Sequence, residues 1–298
     1  MFKRYSTNGF ELSIFFVFHT LRLGPRYRFF AYPHTLVHKD GHEHKGLFKN
    51  GWKILNPIIQ WLIGPFYGIV PNNYIIAHTK LHHTFVNQLK DPHTNIDFDR
   101  SNPLSFVKYI PRFIMYWSGI GPCYYYFQKK QLMFVIIVLK GIIYYYGLII
   151  IGTLLIDWKF SLAYLLYPHL EAMIFIAGIG YMWHCFVDPA DPTNDYINSI
   201  TILNGHDNIW GEDYHVVHHK FPNIHWSEYE DNYKNNIDKY RENKATIFRD
   251  TEEGVILFWI LTKQWNKLAT HFVDLDNKLT HDEKKELILK RLRATLTK

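Results

Sequence analysis

The chain has 298 residues, of which 48% are hydrophobic and 17% aromatic, and a formal net charge of +6 at pH 7. A basic excess can indicate nucleic-acid binding, but the sequence has no helix-turn-helix pattern, no paired CxxC motif and no Lys/Arg stripe alternating with aromatics, so we expect no nucleic-acid partner. The two cysteines, Cys123 and Cys185, belong to no recognisable motif and imply no disulfide framework.

The first third of the chain contains apolar stretches that are too short or too polar for a simple membrane span. Residues 10–23 are apolar but contain His19 and Arg22, and a run of this length is short for a span. No small-residue cleavage site follows, so a signal peptide is not expected. Residues 46–76 and residues 103–128 are apolar but carry prolines, asparagines or charges. Two arrangements stay open: amphipathic helices in the membrane interface, or a further hairpin formed by both stretches.

The strongest apolar segment predicts a membrane hairpin. Residues 132–156 contain one charge, Lys140, and are long enough as a helix to cross about 30 Å of hydrocarbon. Residues 160–184 form a second predicted span, and residues 157–159 between them leave room only for a tight turn. Because two crossings return the chain to the side that it left, segments before and after this hairpin can lie on one face of the membrane.

The region after the hairpin is polar. Residues 186–250 have no apolar run long enough to span a membrane, and residues 276–298 predict a charged helix. Four apolar residues of that tail are predicted to share one face: Leu279, Leu287, Ile288 and Leu292.

Histidines are the most informative feature, because nine of the 18 fall into three spaced clusters and one singleton around the hairpin. Residues three or four apart share a helix face, as the ligands of one site must, and His83 is turned by about 100° from His82. Imidazole suits Zn, Cu, Fe and Ni, and nine imidazoles exceed what one ion can hold, so the count predicts two metal ions. The proposed ligands are His38 and His42 (cluster I), His78, His82 and His83 (cluster II), the singleton His184, and His215, His218 and His219 (cluster III).

The other histidines are not assigned to the site. His19, His169, His271 and His281 stand alone and are expected to be surface or core residues. His34, His44, His206 and His225 lie near the clusters and are left out of the ligand set.

Carboxylates are scarce around these clusters, which excludes two common metal sites. Ferritin-like di-iron proteins need two Glu-x-x-His motifs, whereas here only Glu212 and His215 match. The zinc-protease pattern HExxH fails after His42, because Gly46 stands where its second histidine belongs. The carboxylates expected to orient imidazoles from outside the ligand set are Asp91, Asp207, Glu212 and Asp213.

With these motifs the chain resembles the membrane fatty acid desaturase superfamily. Residues 38–42 (HKDGH) are similar to its first histidine box and residues 78–83 (HTKLHH) to its second. Residues 91–95 (DPHTN) resemble the tract that follows the second box in acyl-CoA desaturases, and residues 211–222 (GEDYHVVHHKFP) resemble their third box, the most specific match. His184 stands where those enzymes have a lone ligand histidine. The resemblance covers about residues 30–230.

The resemblance implies an all-α integral membrane protein, in which transmembrane helices carry a helical cytosolic cap with a histidine-rich dinuclear metal site. We expect one desaturase-like domain over residues 1–298. Its parts are residues 1–100 with boxes I and II, residues 101–185 with the membrane helices, and the cap, residues 186–298, with box III and the tail. The expected location is the endoplasmic reticulum membrane in a eukaryote or the inner membrane in a bacterium, with the site facing the cytosol.

The resemblance also implies two non-haem iron ions, O2 as oxidant, a fatty acyl substrate and contact with membrane lipid. No HPGG haem motif is present, so electrons are expected from a separate cytochrome b5 or ferredoxin. The basic pairs Lys284-Lys285 and Lys290-Arg291 are candidates for docking an acidic partner or lipid headgroups.

The chain departs from the acyl-CoA enzymes in four places. Box I has three residues between its histidines instead of four, and box II has three before its histidine pair instead of two. Gly180 replaces the asparagine that precedes the lone histidine, and the first membrane hairpin is reduced to residues 10–30. We therefore predict an acyl desaturase and keep a hydroxylase or oxidative decarboxylase on the same scaffold as an alternative. A membrane metal-binding or transport protein is the alternative from another class; it would want polar residues within the spans themselves.

Overall fold

The computed structural model describes residues 11–43 and 45–296 and is mostly helical. His44 and residue 10, the start of the first predicted apolar run, lie outside the described residues. The principal helices are α1 (Leu12–Leu23), α2 (Arg28–His42), α3 (Pro103–Trp117), α4 (Ile120–Gln128), α5 (Leu132–Leu155), α6 (Tyr167–Trp183), α7 (His215–Lys220), α8 (Tyr229–Asn235), α9 (Ile237–Glu242), α10 (Glu253–Leu261), α11 (Trp265–His271) and α12 (His281–Arg293).

Shorter 3-10, π and α-helical segments lie between them. They are Pro25–Tyr27, Asn50–Leu55, Asn56–Ile58, Ile59–Ile63, Gly64–Phe66, Tyr74–His82, His83–Phe85, Trp158–Ser161, Leu162–Leu166, Asp195–Asn198, Ile209–Gly211 and Trp226–Glu228. The chain forms two compact units, one within Met1–Leu81 and Ile114–Phe175 and the other within His82–Phe113 and Ile176–Lys298. The three-part division predicted from the sequence stays a prediction.

The first unit contains most of the predicted hairpin, up to Phe175. Two helical stretches of the described chain are long and apolar enough to cross a membrane, Leu132–Leu155 and Trp158–Trp183. The first stretch ends at Leu155. The Asp157 carboxylate then accepts a hydrogen bond from the Lys159 backbone N–H (2.6 Å) and caps the start of the next helix. The Tyr145 hydroxyl donates to the Leu165 carbonyl (2.8 Å), so the two stretches pack antiparallel around the turn.

Close packing in this unit requires a glycine inside α5. A Cβ atom on Gly141 would lie 1.9 Å from the Pro71 carbonyl oxygen, closer than any side chain can approach. Other positions on α5 are not packed against the protein: the side chains of Ile143 and Leu154 are 69% and 76% exposed. Thus α5 is apolar both on its packed face and on its exposed face.

An ion pair connects α1 to the second stretch of the hairpin. The Arg22 guanidinium donates to the Glu171 carboxylate, and its Nε lies 3.4 Å from His19 Nδ1. The side chains of Arg22 and Glu171 are 1% and 16% exposed. His19 Nε2 lies 3.0 Å from the Ala163 carbonyl oxygen, as expected of a core histidine.

The second unit corrects the expectation of an all-α fold. Strands β1 (Thr201–Leu203) and β2 (Ile247–Arg249) pair in parallel, with Thr201 opposite Ile247. The residues between them contain α7 and its neighbours, so a short sheet brings together the two ends of the box III region. Such a pairing is not visible in strands of three residues, which have no periodicity to read.

The tail also differs from its prediction in two details. Leu279 precedes α12, so it is not part of the helical face on which Ile288 and Leu292 are fully buried. Arg291, proposed from the sequence for partner docking, is only 3% exposed and donates to the Thr246 hydroxyl (3.1 Å). The tail is therefore packed into the second unit, whose core also contains Met182.

We predict that the Arg22–Glu171 pair stabilises the first unit. Glu171→Gln leaves the buried guanidinium without its counter-charge, which costs about 3 kcal/mol in the free energy of unfolding. The double variant Arg22→Met/Glu171→Leu removes both charges and is expected to be close to the parent in stability. Thermal unfolding in detergent measures both, and a Glu171→Gln protein as stable as the parent contradicts the prediction.

Candidate metal centre

Three of the predicted ligands lie together in the first unit. His38 and His42 occupy the last turn of α2, and His78 lies in the π-helical segment Tyr74–His82. The Nε2 atoms of His38 and His78 are 2.7 Å apart, and the His42 ring centroid lies 5.2 Å from that of His78. Two buried imidazole nitrogens at this distance need a proton or a cation between them, because two lone pairs repel.

The second unit brings together the other six predicted ligands. The Nε2 atom of His215 lies 3.2 Å from that of His184 and 3.0 Å from that of His219. One nitrogen atom each from His82, His184 and His219 also lie within 4.8 Å of one another, and all three residues are buried. Because one N–H can bridge only one such contact well, the convergence suits a shared cation better than a chain of protons.

Hydrogen bonds fix which nitrogen of two of these rings carries its proton. The Nδ1–H of His184 donates to the Asn198 carbonyl (2.9 Å), and the Nδ1–H of His82 donates to the Asp91 carboxylate (2.6 Å). In a neutral imidazole the other nitrogen, Nε2, then carries the lone pair. Burial lowers the pKa of His184 and of His219 well below the usual value, so both rings are neutral near pH 7.

Asp91 holds its place through several hydrogen bonds. It is 2% exposed and accepts from the backbone N–H groups of Asn87 (2.9 Å) and His93 (3.2 Å) as well as from His82. Burial alone would raise its pKa, but the neighbouring His93 and His82 and these hydrogen bonds keep the pKa below its ordinary value. The carboxylate is therefore charged and orients His82, as the sequence predicted for Asp91.

Three further residues of this region were not predicted from the sequence. His93 lies beside Asp91 and His82, with one ligand-type atom of each within 4.8 Å, and burial lowers its pKa to about 4. Asn87 donates to the His184 carbonyl (2.8 Å), and Asn95 donates to the Tyr181 carbonyl (2.9 Å). The DPHTN tract signals two of them, since His93 and Asn95 are the third and fifth residues of that tract.

Cluster III lies on α7, and its histidines have different neighbours. The Nε2 of His218 lies 3.0 Å from that of His83, while the His83 ring stacks on that of His219 with centroids 4.4 Å apart. His218 Nδ1 lies 3.3 Å from the Tyr229 hydroxyl. The helical spacing of box III therefore supplies ligand atoms to two neighbouring groups, one around His184 and one at His83.

The i, i+4 spacing does not describe how cluster II is used. His78 lies against His38, whereas His82 lies against His184 and His219. The stretch is π-helical, a wider turn than the α-helix assumed for the spacing argument.

Of the other carboxylates, Glu212 and Asp213 lie near cluster III. Glu212 Oε2 is 4.0 Å from His215 Nδ1, which is too long for a hydrogen bond in this geometry. Asp213 is 2% exposed, and burial together with the charges of Glu253, Glu252 and Glu212 raises its pKa. Asp207 instead lies 3.2 Å from the exposed His206.

The remaining histidines behave as structural or surface residues. His169 is buried and bonded to the Gly68 carbonyl (2.7 Å), and His34 to that of Phe30 (2.8 Å). His225, His271 and His281 take part in exposed contacts.

These residues fit a bound metal ion of the imidazole-preferring class. The donors are nitrogen atoms, most of the rings are buried, His184 and His219 are neutral, and the lone pairs of His82 and His184 are fixed by Asp91 and Asn198. Coordination of all nine histidines to two ions stays a prediction.

We predict that Asp91→Asn weakens metal binding by about 10–100-fold, because a neutral amide makes His82 a poorer donor. Competition with a chelator, followed by elemental analysis, measures the affinity. Asp97→Asn is the matched control, since Asp97 is 29% exposed and pairs with Arg112 instead of a histidine. Equal affinities of the two variants would show that Asp91 does not support the metal.

Comparison with known proteins agrees with this geometry. The family model described as Fatty acid desaturase matches residues 12–251, which include every predicted ligand. No curated protein and no solved structure matches the chain. Since the match covers most of the sequence, the chain belongs to the fatty acid desaturase family.

Proposed function

We propose that the protein is an O2-dependent di-iron desaturase that introduces a double bond into a long fatty acyl chain. The observation that carries this proposal is the convergence of the buried imidazoles of His184, His215 and His219 in a chain of the fatty acid desaturase family. The family supports oxidation of an acyl chain. The imidazole groups support a metal that is held by nitrogen ligands.

The proposed metal is iron, in two ions held by His38, His42, His78, His82, His83, His184, His215, His218 and His219. Zinc has no redox chemistry, so it cannot serve an oxidation by O2. Bound iron would supply the activation of O2 that removal of hydrogen from an unactivated C–H bond requires.

The chain's own residues would prepare the ligands for this chemistry. Asp91 and Asn198 hold the tautomers of His82 and His184, so that Nε2 is unprotonated before any ion arrives. Asn87 holds the main chain at His184, and Tyr229 supports His218. Little reorganisation is then needed on metal binding, which favours tight and specific coordination.

The balance of the reaction requires an electron donor. Removing two hydrogen atoms from the acyl chain while one O2 is reduced to two waters consumes two further electrons and two protons. We propose a separate cytochrome b5 or ferredoxin as their source. Acyl-CoA and acyl-lipid substrates both fit this stoichiometry.

We also propose that the protein is inserted in a membrane through its apolar hairpin. The exposed isoleucines and leucines of α5 would be unfavourable in water over such an area but are suited to lipid. The proposed location is the endoplasmic reticulum membrane in a eukaryotic cell or the inner membrane in a bacterium, with the histidines on the cytosolic side.

Product analysis tests the proposal. In a host that lacks fatty acid desaturation, expression is expected to give acyl chains with two hydrogens fewer by mass spectrometry of total lipids. His218→Ala removes a predicted ligand and is expected to reduce this product more than about 100-fold. Loss of a residue that only supports a ligand usually causes a smaller reduction, of about 10–100-fold. His281→Ala is the control, because His281 is exposed on α12.

Other outcomes have defined meanings. Hydroxylated or shortened chains would replace desaturation by hydroxylation or decarboxylation on the same scaffold. Unchanged lipids, with the protein expressed and an electron donor present, would contradict an acyl-modifying enzyme and favour a metal-binding or transport function.

A further inference from the structure

Arg100 is a fully buried arginine whose guanidinium donates to main-chain carbonyl oxygens. It is 0% exposed, and its Nε donates to the carbonyl of Cys185 (3.0 Å). Its two terminal nitrogens donate to the carbonyls of Ile96 (3.1 Å) and Arg291 (3.0 Å), and one of them also to that of Phe98. Burial lowers the pKa of Arg100 only to about 10, so the guanidinium stays charged at neutral pH. A buried charge is tolerated only where such bonds are complete.

The acceptors of Arg100 belong to three segments of the second unit. Ile96 follows the DPHTN tract that holds Asp91, and Cys185 follows His184 directly. Arg291 lies in the last turn of α12. One side chain thus joins the neighbourhoods of two metal-site residues to the end of a helix far along the chain.

Main-chain hydrogen bonds run beside this side chain. The Arg100 N–H donates to the Leu292 carbonyl (2.9 Å), and the Val187 N–H donates to the Arg291 carbonyl (3.2 Å). The Leu296 N–H donates to the Ile96 carbonyl (3.0 Å). The last carbonyls of a helix have no partner within the helix and form its negative end, so they suit a buried cation.

The helix involved is outside the residues that match the family. The match ends at residue 251, whereas α12 begins at His281. On its inner face, Ile288 and Leu292 share a core with Met182 and Cys185, which stand two residues before and one residue after His184. The support of a predicted ligand is therefore built partly from residues that the family pattern does not describe.

We propose that Arg100 is a positioning residue that couples docking of α12 to metal binding at the His82, His184, His215 and His219 group. This inference rests on the proposed metal-dependent function. Metal ligands must be held within about 0.5 Å of their binding geometry for effective binding. Asn87 holds the main-chain carbonyl of His184, and Arg100 holds the carbonyl of the next residue, Cys185. Because linkage is reciprocal, bound metal must stabilise the docked α12 by the same factor by which α12 strengthens metal binding.

Hydrogen exchange and metal content together test this coupling. In the purified full-length protein, iron loading is expected to slow amide exchange in α12 about tenfold or more. This is the smallest change in metal affinity that loss of a residue supporting a metal ligand usually causes. Arg100→Met is expected to lose the ion of the His184 group and to abolish the effect of iron on α12. Arg100→Lys keeps the charge and is expected to restore part of both.

Arg293→Met is the matched control, because Arg293 is exposed and lies on the same helix as the carbonyls that Arg100 binds. It is expected to retain the parent's metal content and the parent's response of α12 to iron. If Arg100→Met does not fold, the metal content and the response of α12 to iron are compared between Arg100→Lys and Arg293→Met, and the coupling predicts a weaker response in Arg100→Lys.

Three results would overturn the inference. The parent could bind iron without any change in α12 exchange, which would refute coupling while leaving the proposed function intact. The Arg100 variants could respond to iron as the parent does, which would likewise refute the coupling and leave the proposed function intact. A parent that binds no metal would instead refute the proposed function, and the coupling would fall with it.

Discussion

Burial of unprotonated imidazoles is the constraint on which the rest of the site depends. A buried imidazole is favoured in its neutral form, and a neutral imidazole has one donor and one acceptor nitrogen. Where Nδ1–H is committed to Asn198 or Asp91, the lone pair on Nε2 must find a proton or a cation. In the second unit, the Nε2 atom of His184 lies 3.2 Å from that of His215, which lies 3.0 Å from that of His219, and a single metal ion would satisfy all three at once.

Much of this could be predicted from the sequence, because the strongest signals are local. The uninterrupted apolar run of α5 and the tight turn after it require only chain length and hydropathy. The histidine boxes were found by spacing and resemblance, and the family match agrees with them. Asp91 was among the carboxylates near the clusters that were expected to orient imidazoles.

What the sequence did not reveal depends on contacts between distant residues. Thr201 and Ile247 pair across the box III region in strands too short to show a pattern. His78 lies against His38 whereas His82 lies against His184, and the spacing of these histidines does not reveal their different neighbours. Arg100 looks like an ordinary surface cation in a polar stretch, since its acceptors are main-chain carbonyls 85 and 191 residues away.

The second unit shows how a small ligand set is stabilised by a larger scaffold. Side-chain amides of Asn87 and Asn95 fix the main chain at the end of the hairpin, and α12 closes the same core from the other end of the sequence.

Elemental analysis of detergent-purified protein, reconstituted with iron under reducing conditions, tests the central claim most directly. The account predicts about two iron ions per chain, in line with a ligand count that exceeds the needs of one ion. Zinc as the only metal retained, or no metal after reconstitution of folded protein, would contradict it.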